Sequence, residues 1–246
     1  MPVVGATEAA SSIAGFRAGR YQVLPVPISE ADAVRADPVF SGRLVVAPRL
    51  TLYALRSSAG SAVKRLAVAG ALDRPQAVGL ALGKSAQTAD GLLPLGMPGY
   101  VPDAARYLRV PGTGLDVTLT HEREATAAQL TAGVAQALRA KGATVHVVPH
   151  GRWSVTEIDL ASPSPGAAVA ALAGPSSPLA AAVNAAAGDR LAGALQHAQA
   201  ALLDSGTIVP LAFGQTALLV SPRVRDLRLD ALGAPQLDAT WLTAGG

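Results

Sequence analysis

Cysteine is absent from this chain of 246 residues, and aromatic residues make up only 4% of it. Without cysteine, disulfides, thiolate nucleophiles and cysteine-ligated zinc sites are all excluded. No run of about 18 apolar residues occurs, so the sequence predicts no transmembrane helix. The first five residues lack the charged and apolar regions of an export signal. The chain is therefore either cytoplasmic or part of a protein whose export signal has been removed.

Charge is also sparse, because only 15% of the residues are charged and the formal net charge is +3. The basic residues are scattered and form no run with interleaved aromatic residues. Nucleic-acid binding needs a clustered basic face, so we predict no nucleic-acid partner. Half of the residues are apolar, which is enough for a core, although much of that half is alanine. Leucine and valine must then provide most of the packing.

Every motif that would indicate an enzyme lacks a required member. Residues 83–85 read Gly-Lys-Ser, as at the end of a phosphate-binding loop, but Val78 stands where that loop needs a glycine. His121 has no second histidine four residues later, as a zinc protease requires. His146 and His150 are four apart, but we place His146 in a strand and find no third ligand near them. We therefore predict no enzyme activity, no cofactor and no metal site.

Residues 115–148 contain the clearest structural unit. A strand of alternating apolar residues is followed by a helix that we predict to begin at the cap Thr120 and to reach Lys141. Gly142 stops the helix, and a second strand follows at 144–148. One stripe of the helix is apolar at a spacing of four, with Leu130, Val134 and Leu138. This strand–helix–strand order predicts an α/β fold.

The remaining pattern predicts shorter elements. The N-terminal part has a helix over 8–18, a strand over 21–24 and two strands within 43–56 that are broken at Pro48. The C-terminal part has a strand over 153–160 and a long alanine-rich helical stretch with a break at Gly188 and Asp189. Two further strands are predicted over 207–211 and 217–220, and the tail from 221 is predicted to be irregular.

Three segments resemble the family 5 extracellular solute-binding proteins, which serve ABC importers of peptides, nickel and related ligands. Residues 65–74 (RLAVAGALDR) are similar to that family's R-x-A-x-x-x-A-x-D-R helix pair, and a Pro-rich stretch follows, as it does there. Residues 115–148 match the family's strand and helix unit. Residues 202–227 resemble its terminal signature, with an I-V-P-L strand and S-P-x-V-x-x-L. A fainter match covers residues 15–24. Taken together, these segments resemble the C-terminal half of an actinobacterial-like member of the family.

The resemblance implies a periplasmic-binding-protein-like fold of type II, containing mainly the second lobe plus part of the first. Residues 1–48 would be a first-lobe segment, residues 49–206 the second lobe, and residues 207–246 a return segment to the first lobe. Family members are about twice as long, so the expected missing part is an N-terminal lobe with its signal and lipid-anchored cysteine. The expected location is the cell envelope, outside the cytoplasm.

Ligand-binding residues are also implied. Peptide-binding members carry W-x-x-D shortly before a proline, and the aspartate pairs with the α-amine of the peptide. With that proline aligned to Pro165, Ala161 stands at the acid and Ile158 at the tryptophan, while Gln22 replaces an acid in the early element. A buried ammonium group without a counter-charge costs several kcal/mol. We therefore place the ligand site on the strand face with Trp153, Glu157 and Asp159, which share one parity.

The resemblance leaves two functions open. The first is the substrate-binding component of an ABC importer, which binds a peptide-like or other small solute between two lobes and partners with a transporter permease. The alternative is a transporter-like envelope lipoprotein that acts as an interaction or regulatory partner in cell-wall glycolipid biosynthesis. The unfilled acid position and the scarcity of aromatic residues favour a non-peptide ligand or this second role.

Overall fold

The computed structural model describes residues 9–57, 60–120, 122–161, 164–230, 233–236, 238 and 240–243. His121 and the first eight residues, both used in the sequence arguments, lie outside this part. The helices are α1 Ala9–Arg17, α2 Ala31–Ala36, α3 Ala62–Ala71, α4 Arg74–Leu82, α5 Ala125–Ala140, α6 Pro165–Ala173, α7 Pro178–Ala185 and α8 Arg190–Asp204. The strands are β1 Val23–Val26, β2 Leu44–Ser57, β3 Asp116–Thr120, β4 Thr144–Val148, β5 Trp153–Asp159, β6 Ile208–Val220, β7 Val224–Arg225, β8 Arg228–Leu229, β9 Pro235–Gln236 and β10 Trp241–Leu242.

The chain forms two compact units. The first contains residues 1–49, 82–86 and 214–246, and the second contains residues 50–81 and 87–213. The chain passes between them within β2, within β6 and on either side of residues 82–86.

In the first unit, β1 pairs antiparallel with the second half of β6, from Val23 opposite Val220 to Val26 opposite Ala217. Helices α1 and α2 contribute the core residues Phe16 and Val34. The ring of Phe16 meets the ring of Phe40 edge to face at 6.0 Å between centroids. These contacts give the first unit its own small hydrophobic core.

The Gly-Lys-Ser turn at residues 83–85 belongs to this first unit. The carboxylate of Asp32 accepts hydrogen bonds from the backbone N–H groups of Lys84 and Ser85 and from the Ser85 hydroxyl. Gly83 has a φ of 82°, and a side chain there would clash with the Asp32 carboxylate. The Ser85 hydrogen bond is the main cause that lowers the pKa of Asp32. The turn thus binds an anion, but the anion is the chain's own carboxylate.

The second unit is built on a mixed sheet with the strand order β6-β2-β5-β3-β4. Strands β2 and β5 are antiparallel, from Thr51 opposite Asp159 to Ser57 opposite Trp153, while β3 is parallel to β4 and β5. The predicted strand–helix–strand unit is confirmed. Its helix α5 packs against all three of these strands, and the predicted stripe is fully buried at Leu130, Val134 and Leu138.

Two predicted interruptions are wrong, because β2 and β6 are each continuous. The ladder between β2 and β5 begins at Thr51, so the missing N–H of Pro48 removes no hydrogen bond from it. In β6, the segment around Gly214 stays extended, and the N–H of Phe213 donates to the carbonyl of Gln87 at 3.1 Å. Long-range pairing therefore overrides the local break signals.

Two helix boundaries also differ from the prediction. Thr120 ends β3 and its hydroxyl bonds to Gly151, so α5 begins later and is capped by Glu124, whose carboxylate accepts from the N–H groups of Thr126 and Ala127. The alanine-rich stretch is broken a second time at Gly174, which has a φ of 99°. The Gly142 stop is confirmed, with a φ of 89°.

Candidate functional site

The predicted ligand-contacting residues lie on β5. Because successive side chains of a strand alternate between faces, Trp153, Glu157 and Asp159 point to the same side of the sheet. Trp153 is 6% exposed, whereas Glu157 and Asp159 are exposed. The Asp159 carboxylate accepts a hydrogen bond from the N–H of Ala161 at 2.8 Å. Of the three predicted side chains, the two carboxylates are the ones that solvent reaches, and ligand binding by the set stays a prediction.

The opposite face of β5 carries an apolar pocket of about 120 Å³. Ile158 on this face packs into the core formed with α6, α7 and α8, and Leu160, just beyond the strand, borders the pocket. We define the apolar pocket by Leu93, Met97, Leu160, Pro165, Ala168 and Leu195. It lies directly beside Pro165, the residue aligned with the ligand-contacting segment of the resembling family. The sequence predicts the ligand site on the face of β5 that carries Asp159, whereas the apolar pocket lies on the opposite face of this strand.

One wall of this pocket is a loop without regular structure, and Gln199 of α8 holds it in place. The Gln199 side chain is only 4% exposed. Its Oε1 atom accepts hydrogen bonds from the backbone N–H of Leu92 at 2.8 Å and of Leu93 at 3.3 Å. A buried polar side chain must be hydrogen-bonded, and here the partners are loop amides that would otherwise be buried without acceptors. This contact fixes Leu93 in the pocket wall.

The same loop is fixed again at Gly99 and Tyr100. Gly99 has a φ of 83°, and a Cβ at this position would lie 2.4 Å from the Cβ of Leu195. Glycine is therefore required for the loop to approach α8. The Tyr100 hydroxyl donates to the Asp90 carboxylate at 3.0 Å, and this hydrogen bond raises the pKa of Tyr100.

Arg74, the last residue of the R-x-A-x-x-x-A-x-D-R segment, holds both ends of the loop. Its guanidinium donates to the carbonyls of Ala89 at 2.7 Å and of Ala105 at 2.8 Å. It lies 5.8 Å from the ring centroid of Tyr107, and burial lowers the pKa of Arg74. Its hydrogen bonds are made to structural carbonyls, so this arginine supports the pocket wall.

The pocket therefore has an uncharged lining, and hydrogen bonds from Gln199 and Arg74 hold its loop wall. Its volume is that of about four water molecules at roughly 30 Å³ each, which fits a short aliphatic or thioether group. Leu93, Leu160 and Leu195 supply apolar contacts, and no charged residue is among the lining residues. The pocket can bind the apolar part of a small molecule, while Glu157 and Asp159 offer negative charge on the other side of the strand.

Metal-binding clusters and membrane-spanning helices are both absent from the described ranges. No group of three or more His, Asp or Glu side chains there is placed to hold a metal ion. His146 lies in β4 as predicted, and its Nε2 atom is 4.0 Å from the exposed Asp116 carboxylate. No helix in that part of the chain combines the length and the hydropathy needed to cross a membrane.

The sequence predicts a Pro-rich loop over 83–114, but sequence reasoning missed Gln199 and its contact with that loop. A signal was present, because Gln199 is four residues after Leu195 and three before Leu202, on the apolar stripe of α8. A glutamine on such a stripe is buried with the stripe and needs hydrogen-bond partners. The partners themselves were not visible, since Leu92 and Leu93 are more than 100 residues away in sequence.

The fold matches solved structures of binding proteins over nearly the whole chain. AppA from Clostridium difficile, which is assigned as a peptide binding protein, shares 11% identity with a TM-score of 0.79, covering 96% of this chain and 60% of that one. The murein tripeptide binding protein MppA of Escherichia coli shares 14% with a TM-score of 0.73, covering 96% and 57%. NikA from Brucella suis, in complex with Fe(III)-EDTA, shares 14% with a TM-score of 0.73, covering 95% and 60%.

These matches establish the fold and no more, because the identities are low. The chain has the α/β fold of the periplasmic binding proteins, as predicted, and it spans about 57–60% of the length of these three neighbours. No protein-family model matches the sequence, and no curated protein matches it either.

Proposed function

We propose that this chain belongs to a solute-binding protein, the component of an ABC importer that captures its solute outside the cytoplasm. The observation that carries the proposal is the agreement in fold, over about 95% of the chain, with proteins that bind murein tripeptide and chelated iron and with AppA, which is assigned as a peptide binding protein. This chain spans only about 57–60% of the length of these neighbours. That it takes part in the activity of a whole binding protein is therefore also part of the proposal.

Two features of the chain support a clamp of two lobes as part of this proposal. The chain forms two compact units, and it crosses between them more than once, within β2 and β6. Such repeated crossings are suited to a hinge that closes around a ligand. The first unit would belong to the first lobe and the second unit would be the second lobe.

The proposed ligand site is the segment at the end of β5. The apolar pocket would take an apolar group of the solute. On the other face of β5, Glu157 and Asp159 would interact with a cationic or hydrogen-bonding part that extends past the end of the strand, and Trp153 would support their strand from within. Ala161 stands where the peptide-binding relatives of the resembling family carry their aspartate. Because an unpaired ammonium group is costly to bury, the solute is expected to lack a free α-amine or to depend on Asp159 for pairing.

A paired library of solutes tests this function. Di- and tripeptides, their N-acetylated forms, and nickel and iron chelates are titrated calorimetrically against the chain. We expect at least one solute to bind saturably, and N-acetylation to leave the affinity within about threefold. If the free amine is instead preferred tenfold or more, Asp159 is expected to pair with it. That preference should then be lost in Asp159→Asn and kept in the matched variant Asp189→Asn, which changes an exposed acid elsewhere in the same unit.

The outcome also separates the two functions left open by the sequence. Saturable binding that the Asp159→Asn change weakens supports solute capture. If no solute binds at millimolar concentration, the solute site proposed on this chain is contradicted, and the envelope partner in cell-wall glycolipid assembly becomes the favoured role. The specific observation behind that alternative is Ala161, which removes the acid on which peptide capture would depend.

A further inference from the structure

A second cavity, of about 520 Å³, opens at the other end of β5, where this strand begins. We call it the arginine cleft and define it by Arg56, Arg152, Ser154, Thr156, Leu172 and Thr207. Its floor is the sheet face that carries Ser154 and Thr156, and the last turn of α6 forms one side. Its volume falls within the roughly 300–1,000 Å³ that is usual for small-molecule sites.

The cleft has an unbalanced positive charge. Two guanidinium groups line it, and no aspartate or glutamate is among its lining residues. Arg56 is half-buried and donates one hydrogen bond, to the carbonyl of Leu172 at 3.2 Å. Across the part of the chain that the structure describes, no carboxylate forms an ion pair with Arg56 or Arg152. Since partly buried charges are normally paired, this cleft favours an anionic ligand.

The backbone that carries both arginines is fixed by the sheet. Arg56 lies on β2 directly opposite Ser154. The N–H of Arg152 donates to the Thr118 hydroxyl at 3.1 Å, and the N–H of Gly151 donates to the Thr120 hydroxyl at 3.1 Å. Both threonines lie on the neighbouring strand β3.

Gly151 explains why this turn can lie so close to β3. A Cβ at Gly151 would be 2.4 Å from the backbone carbon of Leu119, so no other residue fits without displacing the turn. The neighbouring residue Arg152 therefore extends its charged side chain from a fixed backbone. A binding site requires such fixed positions for its ligand-contacting residues.

Hydroxyl groups add hydrogen-bonding capacity between the two arginines. Ser154 and Thr156 are half-buried and alternate along β5 on the cleft side. On the opposite wall, the Thr207 hydroxyl is held 2.7 Å from the Ser205 hydroxyl. The combination of guanidinium forks and neutral hydroxyls matches an oxyanion that is attached to a polar body.

We propose that the arginine cleft binds a small organic oxyanion, a phosphate or carboxylate on a hydroxylated carbon skeleton, with the anion held between Arg56 and Arg152. This site is separate from the proposed solute site, since it is built on the start of β5 and the end of β2, away from the apolar pocket at the end of β5. It does not depend on the importer role, and either proposal can fail without the other.

Nuclear magnetic resonance titration of the full chain tests the proposal. The probes are inorganic phosphate, glycerol 3-phosphate and glucuronate, with glycerol as the neutral control. We expect saturable amide shifts at Gly151, Ser154 and Thr156 with the anions and none with glycerol. Stronger binding of glycerol 3-phosphate than of glucuronate assigns the anion as phosphate, and the reverse order assigns it as carboxylate.

Matched variants separate a built site from general attraction to a basic surface. Arg152→Gln should weaken the best anion at least tenfold, and because Arg152 is exposed the variant is expected to fold normally. Arg190→Gln removes an exposed arginine of α8 and should change the affinity less than twofold. The proposal is overturned if Arg152→Gln binds like the unmodified protein, if both variants weaken binding equally, or if no anion gives saturable shifts.

Discussion

The hydrogen bonds that Gln199 makes to the pocket loop provide the sharpest stability prediction. In Gln199→Leu the side chain keeps a similar size, but the backbone N–H groups of Leu92 and Leu93 lose their acceptor. Both residues are at most 2% exposed, so water cannot replace it without opening the loop. A buried donor without a partner costs about 1–3 kcal/mol. The bond at 2.8 Å should contribute more than the bond at 3.3 Å, so we expect a total loss of about 2–4 kcal/mol.

Urea unfolding measures the global effect, and amide hydrogen exchange at Leu92 and Leu93 measures the local one. The matched control is Gln196→Leu, an exposed position on the same helix, for which a change within about 0.5 kcal/mol is expected. If Gln199→Leu unfolds with the same free energy as this control and both amides stay protected, the loop is held by other contacts and the reasoning about the pocket wall is wrong.

Two further predictions concern the two units. Val134→Asp places a charge at a fully buried position of α5 and should lower the free energy of unfolding in urea by more than about 3 kcal/mol. The control Ala132→Asp, at an exposed position of the same helix, should lower it by less than about 1 kcal/mol. Equal losses in the two variants would contradict the packing of α5. The Ser85 hydrogen bond lowers the pKa of Asp32 in the folded state, so the carboxylate contributes stability above the ordinary carboxyl pKa of about 3.9, and this stability is lost as pH falls through the lowered value. Asp32→Asn should therefore be less stable than the unmodified protein at pH 7, and the difference should shrink towards pH 3 in thermal melts; a difference independent of pH would refute this account.

The regular part of the fold was predictable because local periodicity and packing agree there. The apolar stripe of α5 and the alternation of β3 and β4 each match the period of the element that forms, and Gly142 provides the stop. Pro48 and the segment around Gly214 look like breaks, yet both are extended, since β2 and β6 are stabilised by neighbouring strands that local sequence does not specify. Long-range pairing decided these cases.

The candidate site was predictable only in part for the same reason. Strand parity predicts that Trp153, Glu157 and Asp159 share one face, but it does not say which face has a cavity. The apolar pocket depends on a loop whose shape is set by Gln199 and Arg74 through contacts with distant backbone groups. A sequence pattern contains the donors and acceptors of such contacts without showing which of them meet.

The central claim is that the pocket at the end of β5 receives part of a bound solute. The direct test is a calorimetric titration of the tightest-binding library solute against Ala168→Leu, which fills the pocket from α6, and against Ala171→Leu, an exposed position of the same helix. With both variants shown to be folded by their melts, we predict that Ala168→Leu weakens binding at least tenfold and that Ala171→Leu stays within twofold of the unmodified protein. Equal affinity for all three proteins would contradict the claim.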